Sequence, residues 1–497
     1  MNHKESRLDG KLLIRNFENP ELKFSGTINA QAEDLIEFYP IDTISSVSGG
    51  IKLKTNIEGN LESIKKNFFD SKINLVGEFF DLKMKFKKSI TEAGVKSGKI
   101  VLDEKLLSAE NIKINLKDQE LNLSGKAENY TRIFARSNEP LKINADIQSD
   151  FLNYDQLAGL LNKSEGKTKK ENVKIISEDV EVIIDLKIKK LKLFNHDLES
   201  LTGRLQTKES KVLLENVEFE SCGGRVKINS IIEETKDKLS IKGITQIRDI
   251  NIYEAFKEYK GFGQSTLTHE NIKGIANTSV DFSFETDQSF NLISKSLMSS
   301  CNITIENGEL IRFKPLEGLG RYIEINELKH VKFSKLKSHV DIMDEKFIIE
   351  KTQIDNSAIN ISLSGSHSFR QDIEYKISLL LSEFLAKKPR KKKELDEELK
   401  YVEEDSENKR KVFLLVYGNI DDIKFKYDRK SAKEKVKEDF KNEKQNLKEI
   451  LNEEFGFFKK DTIKIKKKKE RSNEDESLQF EWDNKKQKNN DDDDKDF

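Results

Sequence analysis

Leu186 to Phe194 reads LKIKKLKLF. Lysine and aliphatic residues nearly alternate there, and successive side chains of an extended chain point to opposite faces. The aliphatics therefore share one face and the ammonium groups the other. The pattern returns in LKMKFKK (Leu82 to Lys88), IKLKTNI (Ile51 to Ile57), IKINL (Ile112 to Leu116) and IKFKY (Ile423 to Tyr427). Such repetition predicts single-faced β-strands as the building unit and asks what covers their apolar side. Within KIKKL the register slips between Ile188 and Leu191, so a bulge is expected if both are to stay on one face.

Composition supports one-sided strands. Only 35% of the 497 residues are hydrophobic while 36% are charged, too sparse for strands buried on both faces. Lys and Arg (88) nearly cancel Asp and Glu (89), so there is no basic excess to neutralise phosphates, and nucleic acid is excluded as the expected partner. The five prolines, at 20, 40, 140, 315 and 389, leave long intervals for uninterrupted ladders. Two cysteines, Cys222 and Cys301, exclude a disulfide-dense scaffold and a four-cysteine zinc site. Their plain role is that of small buried residues, and a bridge between them would need a closeness that spacing does not show. MNHKESRLDG lacks the apolar core of a signal peptide, and no run approaches the roughly 18 to 20 apolar residues that cross a bilayer, so the chain reads as soluble or incomplete.

Glycine followed by alternating apolar residues recurs along the chain: SGGIKLKTNI at Gly49 and Gly50, VGEFFDLKMKF at Gly77, TGRLQT at Gly203, KGIANTSVDFSF at Gly274, SGSHSF at Gly365, YGNIDDIKFKY at Gly418. Spacings of about 20 to 27 residues accommodate two or three strands, with glycine at a turn, a bulge or a twist point. The expected fold is mainly β: a long antiparallel, twisted and curled sheet forming an apolar groove, with a few short helices and a C-terminal helix. About 20 strands at ~4.8 Å spacing would make a sheet on the order of 100 Å long. Helical spacing marks FLNYDQLAGLLNK (Phe151 to Lys163), IYEAFKEYKGF (Ile252 to Phe262) and PLEGLGRYI (Pro315 to Ile323).

The expected divisions are a repetitive groove segment over 1–162, a linker over 163–172, a second β segment with a short helix over 173–271, a closing module over 272–385 and a charged, disordered insertion over 386–411. One strand and an amphipathic helix with Val436, Phe440, Leu447, Ile450 and Leu451 on its apolar stripe follow over 412–463. A disordered charged tail occupies 464–497.

Catalytic signals are missing. The six histidines, at 3, 196, 269, 330, 339 and 367, form no HExxH and no metal-ligand spacing with either cysteine, and His330 and His339 read as partly exposed strand residues. GFGQST and GLGRYI lack the remainder of a phosphate loop, and there is no GxSxG elbow. No catalytic residue, metal or cofactor is assigned. KKPRKKK (Lys387 to Lys393) would attract anionic headgroups by about 1 kcal/mol per cation, offset by the adjoining ELDEELKYVEEDSE.

What remains is the apolar face, too large to stay bare on a soluble monomer. Either the sheet folds on itself as a dry sandwich, or it curls into a gutter whose floor holds acyl chains. Candidate floor residues, taken from the strongly alternating strands, are Ile112, Ile114, Leu116, Leu186, Ile188, Leu191 and Leu193.

The stretch Leu297 to Leu385 (LMSSCNITIENGELIRF…IEYKISLLLSEFL) resembles the closing module of the AsmA-like proteins of Gram-negative envelopes, in the form common in Bacteroidetes. VYGNIDDIKFKYDRK (Val416 to Lys430) and NEEFGFFKKD (Asn452 to Asp461) resemble that group's ending, and SVSGGIKLKTNIEGNLESIK (Ser46 to Lys65) its repeat region. The resemblance spans most of residues 20 to 460 as a pattern of degenerate strands. It implies a groove-forming protein anchored in the inner membrane by an N-terminal helix, projecting into the periplasm. It further implies a part in outer-membrane biogenesis, with phospholipids carried along the groove as in bridge-like lipid transfer proteins. Its expected partners are phospholipid acyl chains, the inner and outer membranes and envelope assembly proteins. The anchor is missing from MNHKESRLDGKLLIRNFENPELKFSG, as expected of a fragment, a misplaced start or a homologue working without one. Two rival expectations are a periplasmic scaffold with no lipid and an elongated enzyme acting on polysaccharide through a polar cleft with converging carboxylates.

Overall fold

The computed structural model describes residues 6–38, 44–66, 71–86, 92–133, 139–161, 179–235, 237–263, 267–313, 316, 329–356, 361–380, 402–404 and 410–427. All fall within one compact unit, Met1–Asp428. The expected linker, nearly all of PLEGLGRYI, most of the charged insertion including KKPRKKK, the terminal helix and the tail lie outside the described residues.

Alternation yields strands throughout. They are β1 (Arg7–Arg15), β2 (Glu21–Gln31), β3 (Ile44–Asn60), β4 (Lys72–Phe86), β5 (Glu92–Leu102), β6 (Leu106–Leu116), β7 (Gln119–Glu128) and β8 (Leu141–Asn153). After them come β9 (Val180–Leu193), β10 (His196–Lys208), β11 (Lys211–Ser221), β12 (Gly224–Glu234), β13 (Lys238–Asn251), β14 (Ile272–Asp287) and β15 (Met298–Ile311). The last seven are β16 (His330–Met343), β17 (Lys346–Asn356), β18 (Ile361–Ser368), β19 (Asp372–Leu380), β20 (Val402–Glu404), β21 (Arg410–Asn419) and β22 (Asp422–Tyr427). Together they form one 22-stranded sheet, long, curled and unclosed. Sequence neighbours pair in order as far as β19. β21 then joins β19 on one side and carries β22 and β20 on the other. After Val412 there is thus a hairpin where the sequence suggested one strand, and β20 arises within the charged insertion.

One step departs from the antiparallel meander: β8 and β9 are parallel, from Leu141 opposite Val180 to Asn153 opposite Lys192. A parallel pair needs a crossover, and this connection begins with the helix that LNYDQLAGLL predicted, observed at Tyr154–Leu161. The described helices are α1 (Ala32–Phe38), α2 (Leu61–Lys66), α3 (Tyr154–Leu161) and α4 (Ile252–Glu258). Three start on an asparagine that ends a strand: Asn60, Asn153 and Asn251 each accept a backbone N–H from the first turn, the N-cap interaction. Strand direction places α1, α3 and α4 along one lateral rim of the sheet and α2 on the other.

Register carries the alternation across the sheet. Directly paired residues project from the same side, so Ile112, Leu123, Ile147, Leu186 and Gly203 form one row over β6 to β10. The row continues through Ile228, Thr245, Val280, Cys301 and Val340. The reverse face is a lattice of cross-strand ion pairs: Lys23–Glu58 at 2.8 Å, Lys227–Glu218 at 2.9 Å, Lys335–Glu306 at 2.8 Å. Each such exposed pair is worth roughly 0–1 kcal/mol. They set opposite charges beside one another on a chain that is 36% charged.

The glycines that punctuate the sequence sit inside strands, opposite large side chains. A Cβ on Gly98 would fall 2.4 Å from Ile112 Cδ1, and one on Gly308 would fall 2.1 Å from the Phe333 ring. Their service is room for the neighbouring side chain to lie flat across the apolar face. Several turns use non-glycine residues with positive φ, as at Phe194–Asn195 (48° and 66°) between paired Leu193 and His196. Two left-handed central residues make the type I′ geometry that suits hairpin twist.

Burial is uneven. The largest cluster of buried residues runs from Ile252 on α4 through β14–β19 to Leu414, Val416 and Ile420. At the other end all nine residues of β1 are exposed, Leu8, Leu12 and Ile14 among them.

Candidate functional site

The seven candidate floor residues lie on one face, joined by register: Ile112–Leu123–Ile147–Leu186 is one row and Ile114–Leu121–Ser149–Ile188 the next. They divide by accessibility. Ile188 is 3% exposed, and Ile112 and Leu191 are also buried, whereas Ile114, Leu116, Leu186 and Leu193 are half-buried. Ile188 and Leu191 belong to a core cluster with Leu152, Leu198 and Leu201, against which Leu157 of α3 packs. These two are structural, and the half-buried four are the surface a ligand could meet.

The slip inside KIKKL is resolved cooperatively. Pairing skips Lys189 on both sides, opposite Asp150 of β8 and Ser200 of β10, and Ser200 adopts φ 55°. Leu152 and Leu191, like Ser149 and Ile188, thereby reach the same face. The Ser149 hydroxyl lies 2.7 Å from the Glu120 carbonyl and 2.8 Å from that of Phe151. Gln119, also buried, ties the helix down: its Nε2 donates to Gln156 Oε1 at 3.0 Å and its Oε1 accepts from the Asn153 N–H at 2.7 Å. Asp155 accepts the Phe194 and Asn195 backbone N–H groups, both at 3.1 Å, locking α3 to the β9–β10 turn.

Towards the carboxy-terminal core the floor changes character. His367 stacks on Phe347 with ring centroids 4.7 Å apart, and its Nδ1 meets the Tyr375 hydroxyl at 2.6 Å. His367 Nε2 is buried with no partner. Burial pushes the His367 pKa down to about 4 and the Tyr375 phenol up. The imidazole is therefore neutral at physiological pH.

Two concavities among the described residues open beside charged side chains of the polar face. One of about 710 Å³ lies beside Asp197, Glu199, Glu220 and Asp249, with Arg225 3.7 Å from Glu220. The other, about 670 Å³, lies over Gly125 and Ala145 beside Asp185 and Arg204. The Arg204 guanidinium donates to both Asp185 oxygens at 2.8 and 2.9 Å and holds that carboxyl below its usual range.

Cys222 and Cys301 are free thiols, in the β11–β12 turn and within β15. Among the described residues no helix is long and apolar enough to cross a membrane, which bears on helices alone. The helix caps were missed in the sequence. Their signal was an asparagine closing an alternating run with an acidic residue two or three positions on, in NLE, NYD and NIYE.

No family model, curated protein or solved structure matches the chain.

Proposed function

We propose that this is a non-enzymatic, AsmA-like protein of envelope biogenesis that binds or conducts phospholipids by laying acyl chains along the apolar face of its sheet. One observation carries the reading: the apolar residues stay on one face through successive strands, and its middle row (Ile147, Leu186, Val280, Val340) is half-buried rather than sealed. Each methylene withdrawn from water contributes about 0.8 kcal/mol, so ten on such a floor contribute roughly 8 kcal/mol before ordering costs. The interaction is non-directional, so selection follows chain length more than headgroup, and the route needs no energy-transducing group. The proposed setting is the periplasm, with a tether to the inner membrane and delivery towards the outer.

The test is native mass spectrometry with lipid extraction on protein purified from a Gram-negative periplasm without strong detergent. Several phospholipids per chain are expected, reduced by Ile114→Glu or Leu186→Glu and retained in Lys187→Glu. Folded protein free of lipid, or equal loss in all three variants, overturns the reading. The second reading, a scaffold for outer-membrane protein assembly and membrane targeting that carries no lipid, draws on β1: an edge strand with Leu8 and Leu12 exposed can pair with another chain. Empty, folded protein that captures an unfolded outer-membrane β-barrel through β1 would establish it.

A further inference from the structure

On the polar face, opposite the trough, the β15–β17 strands gather His339, Asp341 and Glu350, whose ligand atoms lie within 4.8 Å of one another. His339 and Asp341 are two apart on β16 and so share a face. Val340 pairs with Ile349, which brings Glu350 alongside His339 from β17. On the other side Asn302 pairs with His339 and Ser300 with Asp341.

We infer that this cluster is a binding site for a divalent transition-metal ion of the zinc class. The Asp341 side chain is only 5% exposed, an expensive place for a carboxylate without a cation. His339 Nδ1 lies 2.8 Å from Asn302 Oδ1, and Nε2 lies 3.0 Å from Asp341 Oδ1 and 3.2 Å from Ser300 Oγ. Both ring nitrogens thus lie against oxygens: the Asn302 amide and Asp341 carboxylate oxygens accept, and the Ser300 hydroxyl can do either. With Nδ1–H donated to Asn302, Nε2 presents its lone pair on the side of the Asp341 carboxylate, where one bound cation can be shared by both. A ring held through Nδ1 by an amide oxygen and presenting Nε2 is the usual arrangement behind a metal ligand.

A proton could fill that place, as could an Asn302 amide turned to donate. A divalent ion would in addition engage the Glu350 carboxylate, whose ligand atom lies within 4.8 Å of the other two. Ligands of tetrahedral zinc sit about 3.3 Å apart; the Nε2–Oδ1 separation is close to that, and Glu350 needs a small inward movement. One imidazole nitrogen with two carboxylates favours zinc over calcium or magnesium, which take oxygen ligands. Three protein ligands leave a fourth position for water. The ion would staple β16 to β17 across their hairpin without touching the trough, so this inference stands apart from the lipid reading.

The full chain, without an affinity tag and freed of metal by chelator, is titrated with zinc chloride and followed by native mass spectrometry and calorimetry. One ion per chain is expected. Affinity should fall at least tenfold in His339→Gln, Asp341→Asn and Glu350→Gln and persist in Cys222→Ser/Cys301→Ser. Glu350 is half-buried, so Glu350→Gln serves even if the Asp341 variant folds poorly; circular dichroism identifies which variants fold. Absence of stoichiometric zinc, or binding unchanged in folded His339→Gln and Glu350→Gln, overturns the assignment.

Discussion

Acid should loosen the carboxy-terminal core through His367 before it disturbs the rest of the sheet. Its pKa is about 4 in the folded protein, against an ordinary value of 6.5, because burial disfavours the imidazolium. Between those values the unfolded chain takes up a proton that the folded chain refuses, so the contribution is complete above pH 6.5 and declines as pH falls towards 4. At 1.36 kcal/mol per unit, lowering the pH from 7.5 to 4.5 removes about 2 to 3 kcal/mol. Asp185, Glu233, Glu306 and Glu309 are also held below their usual range and add their own acid dependence. The comparison is therefore with His367→Phe/Tyr375→Phe, which removes both partners of the Nδ1–hydroxyl contact and strands neither. Hydrogen exchange, corrected for intrinsic rate, should show protection of β17–β19 falling between about 50- and 100-fold more in the wild type than in the double variant. Equal acid dependence in the two proteins would refute the reasoning.

Further outcomes follow from packing. Ile188→Ala, at a site 3% exposed beneath α3, should cost about 2 to 4 kcal/mol, whereas Leu186→Ala, half-buried, should cost clearly less; thermal melts rank them. Gly308→Ala drives a methyl into the Phe333 ring and should cost about 1 to 3 kcal/mol, with Gly308→Ala/Phe333→Leu recovering part of it. Asn251→Ala removes the cap of α4 and should lower stability by about 1 kcal/mol, seen as faster exchange confined to Glu254 and its neighbours. No change in α4 exchange would show that burial of Ile252 and Ala255 holds the helix unaided.

LKIKKLKLF was enough to read the strand, its two faces and the need for an adjustment between Ile188 and Leu191, which the pairing puts at Lys189. Repeated along the chain, the same alternation specified a mainly β, one-faced sheet, because side-chain period is a local property of extended backbone. α3 and α4 were legible from leucine and aromatic spacing. α1 and α2, of seven and six residues, were missed. The alternation also implied that the seven floor candidates share one face, as the register has it. Which of them are sealed and which accessible was not legible, because α3 covers Ile188 and Leu191 from outside their own strand.

What the sequence by itself determined is the division of every strand into an apolar and a charged side. Only the tertiary structure decided how those sides line up: the parallel β8–β9 step, the glycines opposite Ile112 and Phe333, and the meeting of His339 and Asp341 with Glu350 across a hairpin. Pairing partners and their register depend on residues far apart in the chain, and a one-residue shift would send each set to the other face.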